Sequence, residues 1–145
     1  MPTYITHSTH ETRAIGKDLA KILQGGDILI LKGPLGAGKT AFTKGIAEGL
    51  GITKEVTSPT FTIMSVYEVP GHDTIKEFVH VDTYRVESYE ELLEIGFDEY
   101  LGKQDTITII EWPEKVEKLL EHKKMTLVTF VQGPMTERTI TIEKI

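Results

Sequence analysis

Cysteine is absent from the 145 residues, which excludes disulfides and thiolate metal sites and fits a cytoplasmic protein. No apolar run approaches the ~20 residues that a membrane-spanning helix requires. The first residues, Met1-Pro2-Thr3-Tyr4-Ile5, lack a basic segment followed by an apolar one, so no export signal is expected. Positive charge is scarce too. With 16 lysines and arginines against 22 acidic residues the formal net charge is −6, and such a chain is not expected to wrap nucleic acid by itself. A partner that holds the nucleic acid is not excluded. The arginines are only three, Arg13, Arg85 and Arg138, and none of the five histidines has a zinc-binding spacing beside an acid. Repeats and low-complexity tracts are lacking. The length suits one domain, 1–145, with room for one sizeable core.

What the chain does contain is Gly33-Pro34-Leu35-Gly36-Ala37-Gly38-Lys39-Thr40, a full match to G-x-x-x-x-G-K-[ST], the phosphate-binding loop. An apolar run at 27–32 precedes it and reads as a buried strand. Good helix formers fill 39–50, and Gly51 stands where a helix would stop. Strand, glycine turn and helix form the context that this loop needs. Its glycines let the backbone approach phosphates with no Cβ in the way, and its N–H groups and the helix N-terminus face the anion. Gly33, Leu35, Gly36, Ala37, Gly38, Lys39, Thr40 and Ala41 are therefore the candidate nucleotide-binding residues. Lys39 is expected to reach the β- and γ-phosphates, and the Thr40 hydroxyl to coordinate Mg²⁺.

Around this centre the chain reads as follows. Residues 4–6 suit a short edge strand. Ser8-Thr9-His10-Glu11 has the spacing of a capping box. Ala14, Ile15, Leu19, Ile22 and Leu23 then predict a helix closed by Gly25-Gly26. A helix so placed would either lie near the nucleotide base or serve packing alone. Ser58-Pro59-Thr60-Phe61 is either a loop that senses the γ-phosphate through Thr60 or an ordinary turn. Segments 61–69 and 77–82 predict strands joined by a hairpin loop at Pro70-Gly71-His72-Asp73.

The second of these strands ends in Asp82, and the strand predicted at 106–110 is followed by Glu111-Trp112-Pro113. Carboxylates at the C-terminal ends of strands lie on the edge where open α/β sheets bind ligands, so Asp82 and Glu111 are two candidates for one metal site. Asp82 would bind the ion through water or orient an attacking water; its plainer role is to cap a turn. Arg85 would stabilise phosphate charge or simply pair at the surface. Trp112, the sole tryptophan, reads locally as a core residue. Ser88-Tyr89-Glu90-Glu91 is a second capping box, opening a short helix that Gly96 ends. A short helix is predicted at 115–122, and strands at 125–131 and 139–145 flank a turn at Gly133-Pro134. Arg138 near that turn is a candidate contact to base or phosphate, or a surface residue. The fold class expected is α/β and P-loop NTPase-like: a mostly parallel central sheet flanked by helices, with antiparallel hairpin additions.

No D-x-x-G follows Asp82 and no N-K-x-D or T-K-x-D occurs; Thr53-Lys54-Glu55-Val56 comes nearest and lacks the acid. ATP is thus a better substrate than GTP. Three arginines are too few for the lid of a small-molecule kinase, so hydrolysis is the simpler reaction. A kinase and a non-hydrolysing ATP sensor are the alternatives.

G-x-L-G-A-G-K-T at 33–40, S-P-T-F at 58–61, H-x-D-x-Y-R at 80–85 and E-W-P at 111–113 occur in one order, joined by S-x-x-x-T-x-x-x-G from Ser8 through Thr12 to Gly16. In this the chain resembles the bacterial TsaE (YjeE) family over roughly residues 5 to 115. The resemblance implies an ATPase subunit, weak alone, of the machinery that makes threonylcarbamoyladenosine at position 37 of tRNA. Its implied partner is a TsaB–TsaD complex, with tRNA reached indirectly through it and no membrane involved. ATP is the implied substrate and Mg²⁺ the ion. Carried onto this chain, Lys39 is the loop lysine, Thr40 and Glu111 are Mg²⁺ ligands, and Asp82 is needed for hydrolysis. Thr60 is the switch-like threonine and Trp112 is required for ATPase activity. The segment from Ser8 to Thr12, His10 included, falls where the family approaches the adenine.

Overall fold

The apolar run before the glycine loop is the middle of a sheet. In the computed structural model, which describes residues 2–34, 38–57, 63–111 and 113–145, this run forms β2, Ile28–Lys32. It pairs in parallel with β5 (Thr106–Glu111) on one side and β6 (Thr126–Gln132) on the other. A strand walled in by two neighbours and covered on both faces has no wet side, which is why its first four residues are all apolar and buried. β4 (Glu77–Asp82) pairs in parallel with β5, and β3 (Met64–Glu68) closes that margin antiparallel to β4. At the other margin β7 (Arg138–Lys144) runs antiparallel to β6, and β1 (Thr3–Thr6) antiparallel to β7. The strand order is β1-β7-β6-β2-β5-β4-β3: a parallel centre with antiparallel additions, as expected from the sequence.

Alternation along the strands divides the apolar side chains between two cores. Leu29, Leu31, Phe78, Ile107 and Ile109 face α1 (Thr9–Ala20) and α2 (Lys39–Gly49). Ile28, Ile30, Val79, Val81 and Ile110 face the other way, where Leu92, Phe97 and Leu120 cover them. These three come from α3 (Glu90–Glu94), α4 (Phe97–Tyr100) and α5 (Glu117–Leu120). In the first core the rings of Phe42 (α2) and Phe130 (β6) meet edge to face with centroids 5.4 Å apart. Such a pair contributes about 0.5–1.5 kcal/mol beyond its buried area and fixes α2 over the sheet. No helix of the described residues is long and apolar enough to cross a membrane.

Three elements differ from their predicted form. The helix α1 ends at Ala20 rather than at the glycine pair, and Ile22 is 73% exposed. Gly25 serves a close crossing instead: a Cβ there would collide with the carbonyl of Gln104, while the Gly26 N–H bonds the Thr106 carbonyl. The predicted helix at 115–122 is split into a 3-10 turn, Pro113–Val116, and the short α5, which stops before His122 in the left-handed region. The second capping box is half-formed: Glu91 accepts the N–H of Glu87 at 2.7 Å, but α3 starts at Glu90 with no side-chain cap. The first box holds. Ser8 accepts the Glu11 N–H at 3.1 Å, and Glu11 reaches back to the N–H of His7 at 2.9 Å.

Candidate nucleotide site

Strand β2 runs out at Lys32 and hands the chain to Gly33, which passes so close to β6 that a Cβ would lie 2.8 Å from the Phe130 Cβ. Leu35, Gly36 and Ala37 lie outside the described residues. Gly38, at a φ of 101° that disfavours other residues, starts α2 with no side-chain cap. Lys39 follows, 5% exposed, and its Nζ donates to the Gly33 carbonyl at 2.8 Å. Burial holds the Lys39 ammonium below the ordinary lysine pKa; the charges of Glu111, Asp82 and Glu114 oppose that effect without cancelling it.

Those carboxylates stand at the ends of the two strands beyond β2. Asp82 and Glu111 are register partners in the parallel ladder of β4 and β5, so both lie at the same level of the sheet as the turn after β2. Asp82 Oδ1 accepts the Tyr84 N–H at 3.0 Å, the turn-capping bond that the sequence allowed, and the carboxylate stays half-buried. Glu111 is buried. Its backbone carbonyl accepts both the Thr83 hydroxyl at 2.8 Å and the Thr83 N–H at 3.2 Å. Its side chain meets His80, with Nε2 and Oε2 2.6 Å apart.

On the other flank of the loop helix, α1 and α2 pack through small residues. Cβ atoms added to Gly16 or Gly45 would collide with the carbonyls of Phe42 and Arg13 respectively. At their N-termini the two helices leave an open groove of ≈ 430 Å³ lined by Thr9, His10, Arg13, Thr40, Ala41 and Lys44. Thr12 stands beside its inner end, its hydroxyl 2.7 Å from that of Thr6, and its methyl would lie 3.2 Å from a Cβ on Gly38. Arg13 is tied by its Nε to Glu48 at 2.7 Å.

A family model described as "Threonylcarbamoyl adenosine biosynthesis protein TsaE" matches residues 6–140. The chain belongs to the TsaE family. It is 43% identical to the tRNA threonylcarbamoyladenosine biosynthesis protein TsaE of Bacillus subtilis over 136 residues, covering 94% of this chain and 81% of that protein. It is 38% identical to the protein of the same name from Treponema pallidum, covering 85% and 87% respectively. Among solved structures, the crystal structure of Bacillus subtilis YdiB superposes with a TM-score of 0.78 at 37% identity, covering 97% of this chain and 83% of that one.

Of the motifs quoted for the family, those parts that lie among the described residues come together from four elements. Gly33, Gly38, Lys39, Asp82 and Glu111 gather at one edge of the sheet, while Thr40, Ala41 and His10 line the groove beside it. Ser8 is engaged as a helix cap. Arg138 opens β7 and donates to the carbonyls of Met135 and Glu137 in its own turn at 3.4 and 2.9 Å, and it is not among the groove's lining residues. Thr60 and Trp112 lie outside the described residues. Reasoning from sequence quoted His80 as the first residue of the H-x-D-x-Y-R motif but gave it no role, and it did not single out Arg13 or Lys44. The signal for His80 was present: H-x-D on a strand puts His80 and Asp82 on one face.

Proposed function

We propose that this chain binds ATP with Mg²⁺ and hydrolyses it to ADP and phosphate, in support of tRNA threonylcarbamoyladenosine modification in the cytoplasm by a TsaB–TsaD-type partner complex. The observation that carries the reading is the approach of Asp82 and Glu111 to Lys39 on the edge where the glycine loop leaves the sheet. In this reading the triphosphate lies along the loop and the start of α2, with the adenosine in the groove between α1 and α2. Lys39 exchanges its bond to Gly33 for phosphate oxygens.

The residues present fit Mg²⁺. Thr40 and Glu111 are the ligands proposed, and with Asp82 they form an all-oxygen set, the kind a hard cation prefers. No cluster of three or more histidine, aspartate or glutamate side chains able to cage a metal occurs among the described residues. That suits an ion that keeps several waters and leans on substrate phosphates. The chemistry it supplies when bound is neutralisation of charge on the β- and γ-phosphate oxygens. Asp82, half-buried at the end of β4, is the residue proposed to orient the attacking water. Thr60 is assigned to sense the γ-phosphate, and Trp112 to support turnover, from the family's motifs alone. With only three arginines in the chain, a slow ATPase that a partner activates is the form of the reaction proposed.

The test is phosphate release from Mg-ATP, alone and with a TsaB–TsaD partner and tRNA. A low rate that rises with the partner is expected, and Lys39→Ala should abolish it. Equal rates in both conditions, or unchanged turnover in Lys39→Ala, would sink the proposal.

A further inference from the structure

Among the described residues, the His80–Glu111 pair is a buried contact between two ionisable side chains at this edge, and the proposed reaction gives His80 no role. His80 is 1% and the Glu111 side chain 5% exposed, so neither is free to exchange its partner for bulk water. His80 lies opposite Ile109 in the β4–β5 ladder, and Glu111 stands two residues farther along the same face, which sets the diagonal that lets ring and carboxylate meet. Phe78 and Ile109, their neighbours on that face, are core residues. In such surroundings a polar pair is a poor choice for stability alone, since apolar residues of similar size pack at least as well.

The ring's other nitrogen identifies its state. Nδ1 is buried and has no hydrogen-bond partner among the described residues. A proton there would be an unsatisfied buried donor, so the proton is assigned to Nε2. Nε2–H then donates to Glu111 Oε2, while the two bonds from Thr83 hold the Glu111 backbone. Carboxylate and backbone are both fixed, and Oε1 is the oxygen outside the histidine bond.

We propose that His80 is a positioning residue: it touches neither nucleotide nor ion, but fixes the plane of the Glu111 carboxylate so that this group meets Mg²⁺ already oriented. The proposal rests on Glu111 serving as a Mg²⁺ ligand. Partners that orient a ligand in this way typically govern affinity for the ion more than the fold.

The experiment compares ADP affinity with and without Mg²⁺, by calorimetry, in the unaltered protein, His80→Gln and His80→Asn. A glutamine amide reaches the position of Nε2, whereas an asparagine amide reaches only that of Nδ1. His80→Asn is expected to lose about 10- to 100-fold of the tightening that Mg²⁺ gives, with Mg²⁺-free affinity kept, and His80→Gln to recover most of it. Wild-type tightening in both variants, or an equal fall with and without Mg²⁺, would overturn the proposal and leave Glu111's assignment standing. No tightening by Mg²⁺ in the unaltered protein would remove Glu111's assignment and the proposal together. Nitrogen-15 spectra of the unaltered protein give a second reading that needs no variant to fold. The proton is expected on Nε2, and the Nε2 signal should move on adding Mg-ADP but not ADP alone. A proton on Nδ1 would overturn the proposal.

Discussion

Arg13 shows how one side chain acquires meaning only from its surroundings. In the sequence it is an arginine on a polar helix face; in the fold it lines the groove beside the glycine loop and is anchored to Glu48. The hydrogen bond from Arg13, then its charge and that of Lys17, hold the Glu48 carboxyl below its ordinary pKa of 4.5. A carboxylate lowered in the folded state adds stability that is present above the ordinary value and lost as pH falls through the lowered one. The pair is exposed, so the effect on stability is small. In Arg13→Gln the Glu48 titration, followed by NMR, should move up toward 4.5; an unmoved midpoint would show that Lys17 alone sustains it. Asp82 and Glu111 were legible as candidate site residues because an acid ending an apolar strand is unusual enough to notice. His80 was not, because a strand histidine reads as core until its partner, 31 residues away, is known to face it.

At the scale of elements, the strands were legible nearly to their ends and the helices less so. Alternation and apolar runs report strand burial directly. The contact between α1 and α2 depends instead on what is missing from the side chains: Gly16, Gly45 and Gly49 let backbones touch, and hydropathy is silent about that. The same contact sets the sign of a substitution. By helix propensity alone Gly45→Ala should stabilise by about 1 kcal/mol. Its Cβ, however, would collide with the Arg13 carbonyl, which is backbone and cannot yield cheaply. Overpacking of this kind costs about 1–3 kcal/mol, so net destabilisation is expected in the denaturant midpoint, with weaker ADP binding as α1 is pushed from the groove. A stabilised Gly45→Ala would mean that the helices separate freely. Ser8→Ala removes the cap of α1 and should cost about 1 kcal/mol in the same assay. No loss there would make the cap dispensable.

For the molecule as a whole, the class of fold followed from one motif in its context, but the strand order did not. Nothing local to β2 announces that β5 and β6, rather than β3 or β4, lie beside it; long-range pairing is settled by which apolar faces fit, and that is written across the whole chain. The charge balance makes a prediction at this scale. At −6 overall the chain should not bind tRNA by itself at physiological salt, and a gel shift should appear only when the partner is added. Retardation of tRNA by the isolated chain would contradict the proposed division of labour.

The strand order also governs when the site can exist. The phosphate loop is made early, yet the strand that carries it has both its partners near the far end of the chain. A nascent chain that has not reached Thr126–Gln132 holds β2 with an open, apolar edge, the kind of surface on which chaperones and proteases act. If the chain binds nucleotide as proposed, binding has to wait until β6 has been made.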